Sequence, residues 1–185
     1  MERTYIRDLN TKTGQEVSIS AWVNIRRDQG KLIFFDFRDV TGKVQGVILP
    51  NAKEAHAVGS TLRSEWVVEV RGKINPRPEK NIQKDKMNGD IELEILEIRV
   101  LGAAKELPFP KDEDVNIDVH LNNLPLTLRN PKYTAVFKVQ TAIVKAFRDF
   151  FARENFVEFQ APKLIGDDAE GGANSFNIPY FDHVA

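Results

Sequence analysis

From about residue 15 the chain alternates apolar and polar side chains with a period of two, the pattern of strands buried on one face. Val17, Ile19, Ala21, Val23 and Ile25 fall on one side, and Ser18, Ser20, Trp22, Asn24 and Arg26 on the other. Asp28-Gln29-Gly30 reads as a turn into a second strand at 31–39, and Val40-Thr41-Gly42 as a turn into a third at 43–49. Pro50 and Asn51 open a short helical piece reaching 62. A fourth strand follows at 65–74, then a polar loop at 75–89 and a fifth strand at 90–101. Strands in this number, with a helix between the third and fourth, have the order of an OB-fold, an all-β barrel widely used to bind nucleic acid.

Periodicity is lost over 102–131, where Pro108, Pro110, Pro125 and Pro131 suggest an extended connector that packs. Beyond it Val136, Val139, Ile143, Phe147, Phe150 and Phe151 recur at helical spacing, which predicts one long amphipathic helix ending near Glu154. Phe156-Val157-Glu158-Phe159 reads as a strand stopped by Pro162. The expected organisation is a barrel domain at 1–104, a connector at 105–131 and the start of an α+β domain at 132–185.

Composition narrows the function classes. No run approaches the roughly 20 apolar residues that cross a bilayer, and the charged first residues do not suit a signal peptide, so a cytoplasmic protein with no membrane partner is expected. There is no cysteine, and His56, His120 and His183 lack zinc-ligand spacing, so no structural metal is expected. Residues 1–104 carry 17 Lys+Arg against 15 Asp+Glu, and residues 105–185 carry 9 against 12, so a nucleic-acid partner must be argued from local placement. Arg26, Arg27, Lys31, Arg38 and Lys43 crowd one short region.

The second strand is the most informative. Ile33, Phe35 and Phe37 form an apolar face, which leaves Phe34 on the wetter side with Asp36 and Arg38. A ring there suits base stacking, and equally it can serve as a cap on the core. Gln45 shares a face with Lys43 while Val44 and Ile48 turn inward, offering a donor and an acceptor, or simply a solvated amide. Glu92 can accept from a base amino group, and the loop Arg77-Pro78-Glu79-Lys80-Asn81 can serve phosphates or bases. Glu170-Gly171-Gly172-Ala173 sets a carboxylate, able to hold an α-ammonium group, beside residues that permit close backbone approach, though a plain turn accounts for it as well. Neither G-x-x-x-x-G-K-[ST] nor G-x-G-x-x-G is present.

Taken together these residues resemble the aspartyl-tRNA synthetases of class IIb over nearly the whole chain. In the first domain the resemblance rests on Ala21-Trp22-Val23-Asn24, Arg26-Arg27-Asp28, Leu32-Ile33-Phe34, Arg38-Asp39 and Gly42-Lys43-Val44-Gln45. It continues in Glu79-Lys80-Asn81-Ile82 and Gly89-Asp90-Ile91-Glu92. It implies that Phe34 stacks on an anticodon base, Gln45 reads the central uridine, Arg27 meets the stem-loop backbone, and Asn81 and Glu92 discriminate the flanking bases. Gln29 falls at the loop position that separates the aspartate from the asparagine tRNA.

In the second part, the long helix with Phe156 to Pro162 looks like class II motif 1, which implies a homodimer interface including Pro162. Glu170 matches the glutamate that binds the aspartate substrate. The resemblance implies an aspartate-tRNA ligase whose partners are tRNA(Asp), with tRNA(Asn) a second candidate, and aspartate. ATP and Mg2+ serve the complete enzyme. Nothing resembling motif 2 or motif 3 precedes Ala185, so the expectation is a portion of a longer enzyme, with no catalytic residue of its own and no cofactor bound well. An asparaginyl-tRNA synthetase and a stand-alone OB-fold binding module remain as alternatives.

Overall fold

The alternating stretches become five strands, β1 (Glu16–Asp28), β2 (Ile33–Arg38), β3 (Lys43–Ile48), β4 (Val67–Pro76) and β5 (Ile91–Gly102), with helix α1 (Lys53–Thr61) between β3 and β4. They form a closed barrel in the order β1-β2-β3-β5-β4. The computed structural model describes residues 2–110, 113–162, 179–181 and 183–184. Two units separate at Pro108, Met1–Pro108 and Phe109–Ala185.

β1 belongs to both halves of the barrel, pairing with β4 from Glu16 to Trp22 and with β2 from Trp22 to Asp28, antiparallel in each case. Closure comes from β3 and β5, which run parallel through Gly46↔Leu93 and Val47↔Glu94. The core is what the alternation predicts on β2, since Ile33, Phe35 and Phe37 are fully buried and the two rings stack at 5.3 Å between centroids. α1 closes one end, where Gly59 packs tightly: a Cβ there would stand 2.4 Å from Ile48 Cδ1, so that side chain would have to move.

Two features of the barrel depart from the sequence pattern. Residues 6–12 form a 3-10 helix that buries Ile6 and Leu9, and Ile6 N–H donates to the Asp39 carboxylate at 3.0 Å. More consequentially, the β1–β2 register slips between Val23 and Ile25. A β-bulge of this kind inserts one residue and exchanges the faces beyond it. Asn24 is therefore buried and Ile25 is exposed, the reverse of the strict alternation. Arg26 comes to share the inward side of the ladder with Phe35, and its Nε is buried without a partner.

The bulge is held by a buried ion pair. Arg38 donates to both carboxylate oxygens of Glu65 at 2.7 and 2.8 Å and to Asn24 Oδ1 at 3.4 Å, while its guanidinium lies 5.4 Å from the Trp22 ring centroid. Glu65 has a left-handed backbone (φ 71°), and its N–H donates to Val23 O at 2.8 Å.

In the second unit the expected extended connector contains two short helices, α2 (Ile117–Asn122) and α3 (Leu124–Thr127). The prolines do not forbid this, because Pro125 sits in the first turn of α3 and Pro131 in that of α4, where no N–H partner is needed. Asn116 and Asn130 cap α2 and α4 by accepting from Val119 N and Lys132 N.

α4 (Pro131–Arg153) is the long helix expected. It ends because Asn155 turns left-handed (φ 63°) and the N–H groups of Phe156 and Asn155 reach back to Phe151 O and Ala152 O. The Phe151 and Phe156 rings close this Schellman motif edge to face at 5.2 Å. The expected strand at 156–159 does not form among the described residues: all four side chains are exposed, and a strand needs a ladder partner that none of those residues supplies. A short hairpin, β6 (Pro179–Tyr180) with β7 (His183–Val184), completes the described elements.

Candidate nucleic-acid interface

The strand registers lay out the outer barrel face as two rows. One row runs Arg27, Phe34, Val47, Glu94, Lys73, each residue paired with the next across β1, β2, β3, β5 and β4. The next row runs Ile25, Asp36, Gln45, then Glu92 and Asn75. The parallel β3–β5 register, continued by one step, sets Glu92 abreast of Gln45. Paired side chains on one face stand about 5 Å apart, so these residues form one continuous surface.

Phe34 is half-buried between Arg27 and Val47. Val47 is buried without belonging to the barrel core, because it faces outward with Gln45 and forms an apolar floor next to the ring. The sequence signal for Val47 was an apolar side chain on the polar side of β3. One flank of Phe34 is thus apolar and the other cationic, which lets a flat ring lie on it.

Arg27 reaches this face only because of the bulge. In unbroken alternation it would follow Val23 and Ile25 inward, whereas the slipped register pairs it with Phe34. It donates to both oxygens of Asp36 at 2.9 and 3.0 Å. The hydrogen bond to that carboxylate, reinforced by its charge, raises the guanidinium further above its already high pKa. Asp36 is thus a member of the site that the sequence placed only on a mixed face.

The polar groups then divide in two. Asn75 donates to Glu94 at 2.7 Å, and Arg27 is held by Asp36. Among the described residues the side chains of Gln45, Glu92 and Asn81 have no hydrogen-bond partner. Gln45 and Glu92 are half-buried on the barrel, while Asn81 is exposed in the 3-10 turn Glu79–Asn81 of the β4–β5 loop. That loop is anchored by Arg77, whose Nε donates to Ile91 O at 2.9 Å, and by Asn88, whose amide donates to Ile6 O and Lys43 O.

The basic cluster expected from the sequence is largely neutralised. Arg26 pairs with Asp28 at 2.8 Å, Arg27 with Asp36 and Arg38 with Glu65. Of the five residues, Lys31 and Lys43 alone lack an acidic partner among the described residues. Gln29 is exposed in the β1–β2 turn, its N–H donating to Leu32 O. Pro162 is exposed in the second unit, and Glu170 lies outside the described residues.

Known proteins align with both units. Residues 17–101 match the OB-fold nucleic acid binding domain family, and residues 116–183 match the tRNA synthetases class II (D, K and N). The aspartate–tRNA ligase of Lysinibacillus sphaericus is 37% identical over 91% of this chain and 29% of its own length. The aspartate–tRNA(Asp/Asn) ligase of Anoxybacillus flavithermus is 40% identical over 90% of this chain and 28% of its own. Among solved structures, asparaginyl-tRNA synthetase from Pyrococcus horikoshii complexed with asparaginyl-adenylate superposes with a TM-score of 0.83 at 28% identity, covering 100% of this chain and 42% of that one. The chain spans about 30% of the length of the curated relatives it matches.

Proposed function

We propose that this chain is the anticodon-reading portion of an aspartate–tRNA ligase, since residues 17–101 match the OB-fold nucleic acid binding domain family and residues 116–183 match the tRNA synthetases class II (D, K and N). The observation that carries the proposal is the outer barrel face, where Phe34 stands between Arg27 and Val47 with unpaired Gln45 and Glu92 in the adjoining row. Phe34 stacks on one anticodon base, worth about 1–3 kcal/mol. The Gln45 amide offers an acceptor and a donor side by side, matching the N3–H and adjacent carbonyl of uridine. Glu92 accepts from the amino group of a flanking base, Asn81 reads a base from the loop, and Arg27 turns to the stem-loop backbone. In the whole enzyme aspartate is activated with ATP and passed to the 3′-hydroxyl of the terminal tRNA adenosine, with Mg2+ assisting and Glu170 holding the aspartate ammonium group. No group of three or more metal-binding side chains exists among the described residues, so no step of that chemistry is assigned to them. The α4 and Pro162 segment serves the homodimer.

The test is a titration of a tRNA(Asp) transcript with the chain at fixed salt. Phe34→Ala should weaken binding by about 1–3 kcal/mol, and Gln45→Ala should weaken it for the cognate anticodon and not for one altered at the central base. Equal binding by parent and Phe34→Ala would remove the stacking role. A second reading, service of both tRNA(Asp) and tRNA(Asn), is favoured by the 40% identity to a relative named as an Asp/Asn ligase. Parallel titration with tRNA(Asn) decides it, since a ligase confined to tRNA(Asp) would bind tRNA(Asn) markedly less well.

A further inference from the structure

The proposed reading face carries no net charge to attract a polyanion. Asp36, Glu92 and Glu94 on it are matched by Arg27, Lys43 and Lys73, Arg27 is held by Asp36, and Arg26 and Arg38 are likewise engaged by carboxylates. The attraction has to come from the rim. One built concavity supplies it, an open cleft of about 380 Å3 between the β1–β2 turn and α1, lined by Lys31, Pro50, Lys53, His56 and Ala57.

Both lysines there lack an acidic partner among the described residues, and no carboxylate lines the cleft. The turn and the helix that carry them are tied together. Asp28 accepts from Gly30 N–H, shaping the turn that carries Lys31, and His56 Nε2 lies 3.3 Å from Gly30 O, tying α1 to that turn. Lys53 and His56 are three residues apart and so share one face of α1. Lys31 in turn lies three residues from Phe34, about 10 Å along an extended chain.

We infer that this cleft binds the RNA backbone phosphates next to the base stacked on Phe34, with the Lys31 and Lys53 ammonium groups as the paired cations. The inference rests on the anticodon-reading proposal, deepening it by naming where the strand runs off the face. Division of labour follows: the charge-balanced face sorts bases, and the cleft supplies the salt-sensitive attraction.

The experiment measures affinity of the whole chain for a tRNA(Asp) anticodon stem-loop between 50 and 200 mM salt. Each phosphate contact in a single-stranded region contributes a slope of about 0.7 in log K against log salt. Lys31→Gln with Lys53→Gln should therefore lower the slope by about 1.4, so that the parent's advantage shrinks about sevenfold across that range. Phe34→Ala should weaken binding at every salt concentration with the slope kept. A stem-loop with neutral methylphosphonates flanking the stacked base should bind the parent less well, with little further loss in the double variant. Lys31→Arg with Lys53→Arg should retain the parent slope, which separates charge from any disturbance of the fold. If the glutamine variant keeps the parent slope while Phe34→Ala weakens binding, the cleft assignment is wrong and the reading face stands. If neither variant changes binding, both fall.

Discussion

Replacing Glu65 by Ala should cost the barrel heavily, because it removes one half of a desolvated ion pair. The Glu65 side chain is 0% exposed and that of Arg38 16%, and two charge-assisted hydrogen bonds of 2.7 and 2.8 Å join them. Leaving Arg38 uncompensated is worth about 3–5 kcal/mol, a large share of the roughly 5–15 kcal/mol that holds a domain together. For a barrel of this size the melting temperature should fall by about 12 °C or more, at roughly 4–8 °C per kcal/mol. Alanine keeps the strained left-handed backbone at this position, so Glu65→Gly should be milder by about 1 kcal/mol. The pair also anchors the bulge that turns Arg27 outward, so tRNA affinity should fall in Glu65→Ala even where the chain remains folded. The assay is thermal and urea unfolding followed by circular dichroism, in a cycle of Glu65→Ala, Arg38→Met and the double variant Arg38→Met, Glu65→Ala. The double variant should lose far less than the two single variants combined, since it buries no unpaired charge. Additivity within about 0.5 kcal/mol would refute the reasoning.

Two further outcomes follow from the same geometry. The Asp28 carboxyl is held below its ordinary value, chiefly by the Arg26 hydrogen bond and then by Gly30 N–H. Its stabilising contribution is therefore present above about pH 4 and lost as pH falls through the folded-state value. The stability gap between parent and Asp28→Asn should close on acidification, and a gap that widens below pH 4 would contradict the assignment. On α4, Val136, Val139, Ile143, Phe147 and Phe150 are each more than half exposed at helical spacing. Covering that stripe at about 25 cal/mol per Å2 should drive self-association in sedimentation, reversed by Phe147→Asp with barrel melting unchanged. A parent chain that stays monomeric at high concentration would count against the homodimer surface.

The barrel was legible because its signal is local: alternation locates β2 and its buried face, and the turns at 28–30 and 40–42 punctuate it. The site was legible only as candidates, since which residues share a row depends on register, and register is a tertiary property. Asn24 shows the limit. Nothing in Val23-Asn24-Ile25 announces a bulge, yet it decides the faces of Ile25, Arg26 and Arg27. Asp36 was equally hidden as the partner of Arg27, because the two are nine residues apart. Prolines misled in the connector, where Pro125 and Pro131 start helices, and the strand-like run misled at 156–159, where no neighbouring strand is available among the described residues.

The seam between β3 and β5 has a consequence for how such a barrel works. Backbone ladders are long on every other side, but here the parallel pairing amounts to two residue pairs, Gly46 with Leu93 and Val47 with Glu94. Gln45 and Glu92 straddle that seam, one from each bank. A nucleotide held by both would act as a suture where the cylinder's own stitching is shortest. On the proposed reading, recognition and mechanical closure would be a single event: a mismatched base engaging only one bank would leave the joint unsutured, and fidelity would draw on the stiffness of the wall as well as on the chemistry of its readers.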